Sequence, residues 1–361
     1  MKQEVYGIHL NKLNVAFLGI GGMGQLHLAN CAFMGKMNII AVADKSKNLL
    51  KKAELYKVKN FYEDYVELLD KENKNLDAVI ISLPNYLHYD SVIRSLEYGL
   101  NVFVEKPLAL SPKECKEIII SEEKSGKKIM VGYSMRYIDA IQLMKKKLEE
   151  GRLGNLTYLT LESIQNGPLS HGRVPKPVSE WWFNPKLSGG GALMDLGTHL
   201  IDLFHFFSGN AKVIFSKLDY KFNLPVEDGG TIILESIDSD VRAIINVGWF
   251  EKMIFPKFNF RVILHGTADY VSSEDYIPKN YYTYAIKEGI KNFSKRISVK
   301  KISPLSYTYW YTSYYKELEQ FYNSIMNEEE ILSNSNNGLK NIEIINAAYE
   351  LNKKNRDDFV E

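Results

Sequence analysis

Asp195 and His199 stand four residues apart in GGGALMDLGTH, residues 189–199. On an α-helix that spacing sets both side chains on one face, with Cβ atoms about 5–6 Å apart. A carboxylate there can fix the tautomer of the imidazole and stabilise its charged form, as a general acid/base requires. Upstream, Lys106 in Glu105-Lys106-Pro107 offers an ammonium that can donate a hydrogen bond to a reacting oxygen. Burial beside a cofactor would lower its pKa, and Pro107 biases Lys106 toward extended backbone. Each feature also has an ordinary reading, since Lys-Pro pairs are common in loops and a lone histidine is usually structural. His205, among Phe204, Phe206 and Phe207, is read in that ordinary way.

A second kind of chemistry is written in Gly19-Ile20-Gly21-Gly22-Met23-Gly24, which has the spacing G-x-G-x-x-G. The motif follows an apolar run, opens a helical pattern and precedes Asp44 by 20 residues, the context of a dinucleotide fingerprint. Gly19 permits the turn, Gly21 admits the pyrophosphate and Gly24 allows close helix packing. The helix N-terminus supplies N–H donors to the phosphates. Asp44 can accept both hydrogen bonds of a ribose diol and would repel a 2′-phosphate, so NAD is expected. Lys45 offsets part of that repulsion and leaves NADP as the alternative. Leu83-Pro84-Asn85 and His88 close another apolar strand and are expected beside the cofactor, with Glu105, Lys106 and Arg136. Arg136 either reaches substrate or bridges two domains. Trp182 and Asn184, in a loop rich in aromatic residues, are candidates for substrate contact with Lys106, Arg136, Asp195 and His199. Asn166, His171 and Arg173 are further candidates for specificity, whereas the Tyr-rich stretch Tyr307–Tyr315 is read as core and interface filling. No metal site is expected.

Elements of two kinds must position these residues. Apolar runs at 14–20, 39–43, 77–83, 101–104 and 128–132 alternate with helical patterns at about 46–56, 62–70, 88–97 and 113–124. Such alternation predicts a parallel, doubly wound α/β sheet with right-handed crossovers. Past residue 134 a helix at 138–150 and a strand at 156–164 precede a helix at 192–207. Alternating segments follow at 212–220, 231–237, 241–249 and 259–265, then helices at 313–327 and 338–353. These predict an α+β domain with a large, mostly antiparallel sheet. The expected division is residues 1–133 for a Rossmann domain and 134–361 for a substrate and oligomerisation domain.

Composition narrows the field. The chain has 361 residues, more than the about 250–300 that one core usually spans. Lys and Arg total 45 against 44 acids, so no surplus exists to neutralise nucleic-acid phosphates. Cys31 and Cys115 are too few for a disulfide framework or a zinc site. The start, MKQEVYGIHLNKL, lacks the apolar core of an export signal, and no apolar run is long enough to span a bilayer. The expectation is a cytoplasmic protein with no membrane partner.

Taken together, GIGGMG (19–24), AVAD (41–44), LPNYLH (83–88), EKP (105–107), GYSMRY (132–137), GGGALMDLGTHLID (189–202) and NNGLKNIEIINAAYEL (336–351) resemble the Gfo/Idh/MocA family of NAD(P)-dependent oxidoreductases. The resemblance runs along nearly the whole chain. It implies hydride transfer between a carbinol of a sugar, nucleotide sugar or cyclitol and a nicotinamide cofactor. Lys106 would polarise the substrate oxygen and relay its proton, His199 would be the acid/base, and Asp195 would orient it or bind a neighbouring hydroxyl. A homodimer or homotetramer is implied. Phe183 departs from the family, where many members carry Arg after Trp, and this favours NAD. The resemblance also leaves two alternatives: a glycosidase acting by transient oxidation and elimination on NAD, and a non-catalytic dinucleotide-binding regulator.

Overall fold

The computed structural model describes residues 12–169, 179–250, 260–276, 286–287, 290 and 311–357. The first half is a six-stranded parallel sheet in the order β3-β2-β1-β4-β5-β6. Its strands are β1 (Leu13–Leu18), β2 (Met37–Ala43), β3 (Asn60–Tyr62), β4 (Ala78–Ile81), β5 (Asn101–Glu105) and β6 (Ile129–Gly132). The apolar run Ala78–Ile81 is fully buried, because helices cover both faces of the sheet. These helices include α1 (Gly22–Met34), α2 (Lys47–Ala53), α3 (Tyr65–Glu72), α4 (His88–Glu97) and α5 (Pro112–Ser125). The strand order reverses between β1 and β4, which opens a crevice at their carboxyl ends. One local expectation fails there. Tyr62, read as helical, lies on β3 and pairs with Ala43, and α3 starts only at Tyr65 behind an Asp64 cap. A strand of three residues is too short to show alternation.

The second half holds α6 (Asp139–Glu149), β7 (Leu156–Ile164), α7 (Pro185–Ser188) and α8 (Thr198–Ser208), followed by five strands. These are β8 (Ala211–Asp219), β9 (Gly229–Ser236), β10 (Arg242–Gly248), β11 (Phe260–Gly266) and β12 (Tyr270–Ser272). They form a sheet with β7 in the order β12-β11-β7-β10-β9-β8, antiparallel except where β7 meets β10. Two helices close the chain, α9 (Tyr311–Met326) and α10 (Ser335–Asp357). Helix α9 returns to the first half: Leu318, Phe321 and Tyr322 share a core with Val15, Phe17, Phe103 and Met130. Helix α10 lies along β8, where the Asn352 side chain accepts the Leu218 N–H at 2.9 Å. Cys31 and Cys115 are buried and free. No helix among the described residues is long and apolar enough to cross a membrane.

Candidate active site

Strand β1 delivers the chain into a turn at Gly19, where φ is +84° and an added Cβ would lie 2.7 Å from the Ser82 carbonyl oxygen. Gly24 presses back on that turn, since a Cβ there would sit 2.3 Å from the Gly19 oxygen. Gly21 and Gly22 instead face open space, and α1 begins at Gly22 without a side-chain cap. The result is an open cradle of glycine backbone at a helix N-terminus, which suits a dinucleotide phosphate. It opens on a cleft of about 650 Å³ lined by Gly19, Gly21, Gly22, Met23, Asp44, Lys45, Leu83, Pro84, Asn85, His88, Glu105 and Lys106. Ile20 and Gly24 are not on its wall and support it from behind. Asp44, at the end of β2, is aimed by the backbone: Oδ2 accepts the Ile20 N–H at 2.9 Å and Oδ1 the Ser46 N–H at 2.8 Å. A carboxylate has about four lone-pair sites, so acceptor capacity is left for a ribose diol. These residues fit NAD.

A second cavity of about 360 Å³ shares Met23, Glu105, Lys106 and Trp182 with the first. Lys106 therefore stands at the seam. Its Nζ donates to Asp195 Oδ1 at 2.8 Å and to the Asp195 carbonyl at 2.9 Å. His199 lines the same cavity, and burial, reinforced by the Lys106 charge, pushes its imidazole well below the usual histidine range. His199 is accordingly neutral near pH 7 and open to a proton.

The expected Asp195–His199 contact is not formed. Residues Leu193–Gly197 are wound as a π-helix, whose i→i+5 bonds take the two side chains off a common α-helical face. Asp195 turns instead to Lys106 and to the Trp249 indole, which donates to Oδ2 at 3.3 Å. The His199 ring is held by packing, edge-on to Tyr133 at 6.4 Å.

Other expectations need correction. Arg136 reaches neither cavity: Nε and Nη2 each donate at 2.7 Å to the buried carboxylate of Asp202 on α8, which ties the turn after β6 to that helix. The His88 ring nitrogens both face backbone carbonyls, Pro107 at 2.6 Å and Leu83 at 2.9 Å, which leaves neither for a cofactor ribose. Glu105 borders both cavities, yet its carboxyl turns inward to His27 at 2.6 Å. Asn184 is exposed and caps α7 through the Lys186 N–H. Asn85 borders the cleft while its amide donates to the Ser188 carbonyl at 2.8 Å. His171, Arg173 and residues 307–310 lie outside the described residues.

Some residues on the cavity walls were not singled out from the sequence. Ser134, Gln165, Ser313 and Tyr314 line the second cavity with Asn166, and Trp249 braces Asp195 from behind. Tyr314 sits in the stretch read as core filling. Its helical spacing carries no sign of which face meets a cavity.

Comparison with known proteins bears on the fold and the family. Residues 13–133 match the family described as "Oxidoreductase family, NAD-binding Rossmann fold", and residues 145–358 match "Oxidoreductase family, C-terminal alpha/beta domain". Fold and sequence thus place the chain in an oxidoreductase family, with an NAD-binding Rossmann domain and a second α/β domain. The chain belongs to the Gfo/Idh/MocA family. It is 28% identical over 245 residues to levoglucosan dehydrogenase of Pseudarthrobacter phenanthrenivorans, an alignment covering 63% of this chain and 60% of that one. It is 32% identical over 151 residues to the inositol 2-dehydrogenase/D-chiro-inositol 3-dehydrogenase of Lactiplantibacillus plantarum, covering 40% and 42%. The chain thus spans less than two thirds of the length of either relative. In fold it is similar to myo-inositol 2-dehydrogenase from Lactobacillus plantarum, with a TM-score of 0.78 at 20% identity over 96% of this chain and 98% of that one. Scyllo-inositol dehydrogenase from Lactobacillus casei, solved with NAD(H) and scyllo-inositol, gives 0.77 at 18% identity over 96% and 98%.

Proposed function

We propose that the protein is an NAD-dependent dehydrogenase acting on one carbinol of a sugar, nucleotide sugar or cyclitol. The observation that carries this reading is the position of Lys106, on the wall of the glycine-lined cleft and of the second cavity at once, beside a neutral His199. Gly21, Gly22 and Asp44 would hold NAD, which when bound supplies the acceptor for a hydride. Lys106 donates a hydrogen bond to the carbinol oxygen and offsets negative charge developing on it. His199 takes the hydroxyl proton as the C–H bond gives up its hydride. Asp195 keeps Lys106 at the seam, and Trp182 offers an aromatic wall to the ring of the substrate.

A homo-oligomer is part of the proposal. The outer face of the second sheet exposes Tyr158, Phe215 and Tyr270, a surface that a second copy could cover.

A panel of sugars, cyclitols and nucleotide sugars, offered with NAD and with NADP and read as nicotinamide absorbance, tests the reading. Reduction of NAD by a polyol is the expected result. Glycoside cleavage without net NADH would select the elimination chemistry instead. Tight NAD binding with no turnover on any polyol would point to a regulator.

A further inference from the structure

Glu317 on α9 is a buried acid that no step above uses. It is fully buried, and neither carboxyl oxygen has a hydrogen-bond partner among the described residues. It faces Glu105 at the end of β5 and His27 on α1, and polar atoms of the three side chains lie within 4.8 Å of one another. His27 Nε2 is 2.6 Å from Glu105 Oε1, while Glu105 Oε2 accepts the main-chain N–H of Lys106 at 3.2 Å. The fit is close: a Cβ on Gly132 would lie 3.3 Å from Glu105 Oε2, and Phe103 and Tyr314 set their rings edge-on to His27 at 5.1 and 6.0 Å.

Two ionised carboxylates cannot share a sealed site without a cation between them. The lysines and the arginine nearby are engaged elsewhere, and the side-chain hydrogen bond of His27 goes to Glu105 and not to Glu317. Lys106 Nζ is on Asp195, Arg136 is on Asp202, and Lys316, beside Glu317 on α9, bonds Asp139 at the surface. Tyr137, on the turn packed against α9, is neutral, its hydroxyl pushed up by burial. His27 directs one ring nitrogen at Glu105, so Glu105 is the carboxyl with partners and Glu317 the one without.

We propose that Glu317 is a positioning residue for Lys106: an un-ionised carboxylic acid that leaves the single negative charge of the cluster on Glu105, where it holds the Lys106 main chain. Burial and the Glu105 charge both raise the Glu317 carboxyl well above the usual range, in keeping with that state. The proposal rests on the role given to Lys106 above.

The full chain serves for the test. Infrared spectra of the wild type at neutral pH should show a protonated-carboxyl C=O band that Glu317→Gln lacks. Glu317→Ala should lower kcat about 10- to 100-fold through a displaced Lys106, with NAD affinity measured by fluorescence nearly unchanged. Glu317→Gln, which keeps a neutral group of the same shape, should restore kcat and remove the alkaline loss that ionisation of Glu317 imposes. The idea is overturned by absence of the band, by a Gln variant as slow as Ala, or by a divalent metal bound to the wild type and lost in Glu317→Gln. If Glu317→Ala does not fold, the band and the pH profile of Glu317→Gln give the same decision. A Lys106→Met enzyme that kept its turnover would remove the role of Lys106 and leave the infrared result standing.

Discussion

Lys106 and Asp195 join the two halves of the molecule through an ion pair of 2.8 Å, formed between the end of a parallel strand and a π-wound turn. Both side chains are mostly buried, so neither has a free choice of partner. A group at this seam can touch substrate only if it stays in place. Lys106→Met is expected to lower kcat about 10²- to 10⁴-fold while NAD affinity changes far less. Steady-state kinetics together with NAD titration checks this. A variant retaining most of its kcat would remove Lys106 from the chemistry.

His199 gives the site a pH dependence of definite sign. In the unfolded chain its imidazole protonates near pH 6.5, and in the folded chain only well below that value. Its contribution to stability is therefore complete above about pH 6.5 and is lost as pH falls toward the folded value. Melting temperatures should drop on acidification through that window in the wild type and drop less in His199→Gln. The acid limb of kcat/KM in the wild type should fall below pH 6.5 as well. An acid limb unchanged by His199→Gln would show that another group takes the proton.

Asp44 is expected to set cofactor choice. Its two oxygens are fixed by the Ile20 and Ser46 N–H groups, so the charge cannot swing away from an approaching 2′-phosphate. Asp44→Ser should weaken NAD and shift the NADP-to-NAD ratio of kcat/KM by about tenfold or more, since a ribose partner and a repulsive charge are lost together. Parallel initial-rate measurements with both cofactors decide it.

The Arg136–Asp202 pair is structural, and its deletion should register in stability before activity. Removing one partner of a buried pair destabilises by about 3–5 kcal/mol, because the other charge is left uncompensated. Urea unfolding of Arg136→Met should show a loss of that order. The double variant Arg136→Met, Asp202→Leu should recover much of it, and a purely additive double loss would contradict the account.

The sequence made legible whatever depends on local pattern. The glycine turn, Asp44 and the Lys106 strand end were readable because each sits at a fixed offset from an apolar run, and the sheet follows from where those runs begin and end. Long-range pairing was not readable. Arg136 stands in a motif that adjoins the cofactor motifs in sequence, yet its partner is 66 residues away on another helix. The relation of Asp195 to His199 is not legible, because four-residue spacing pairs side chains only on an α-helix and nothing in LMDLG announces a wider turn. Sequence alone does not mark Tyr314, in a stretch that reads as core filling, or Trp249 for a related reason: aromatic residues pack far more often than they line a site, and only the folded neighbourhood separates the cases.

Helix α9 ties the end of the polypeptide back into its beginning. Leu318, Phe321 and Tyr322 complete a core whose other members precede residue 138. A polypeptide stopped near residue 133 would expose that seat to water and lack Glu317 altogether. The nucleotide-binding half therefore draws part of its core from a helix that lies, in chain order, beyond the sheet of the other half.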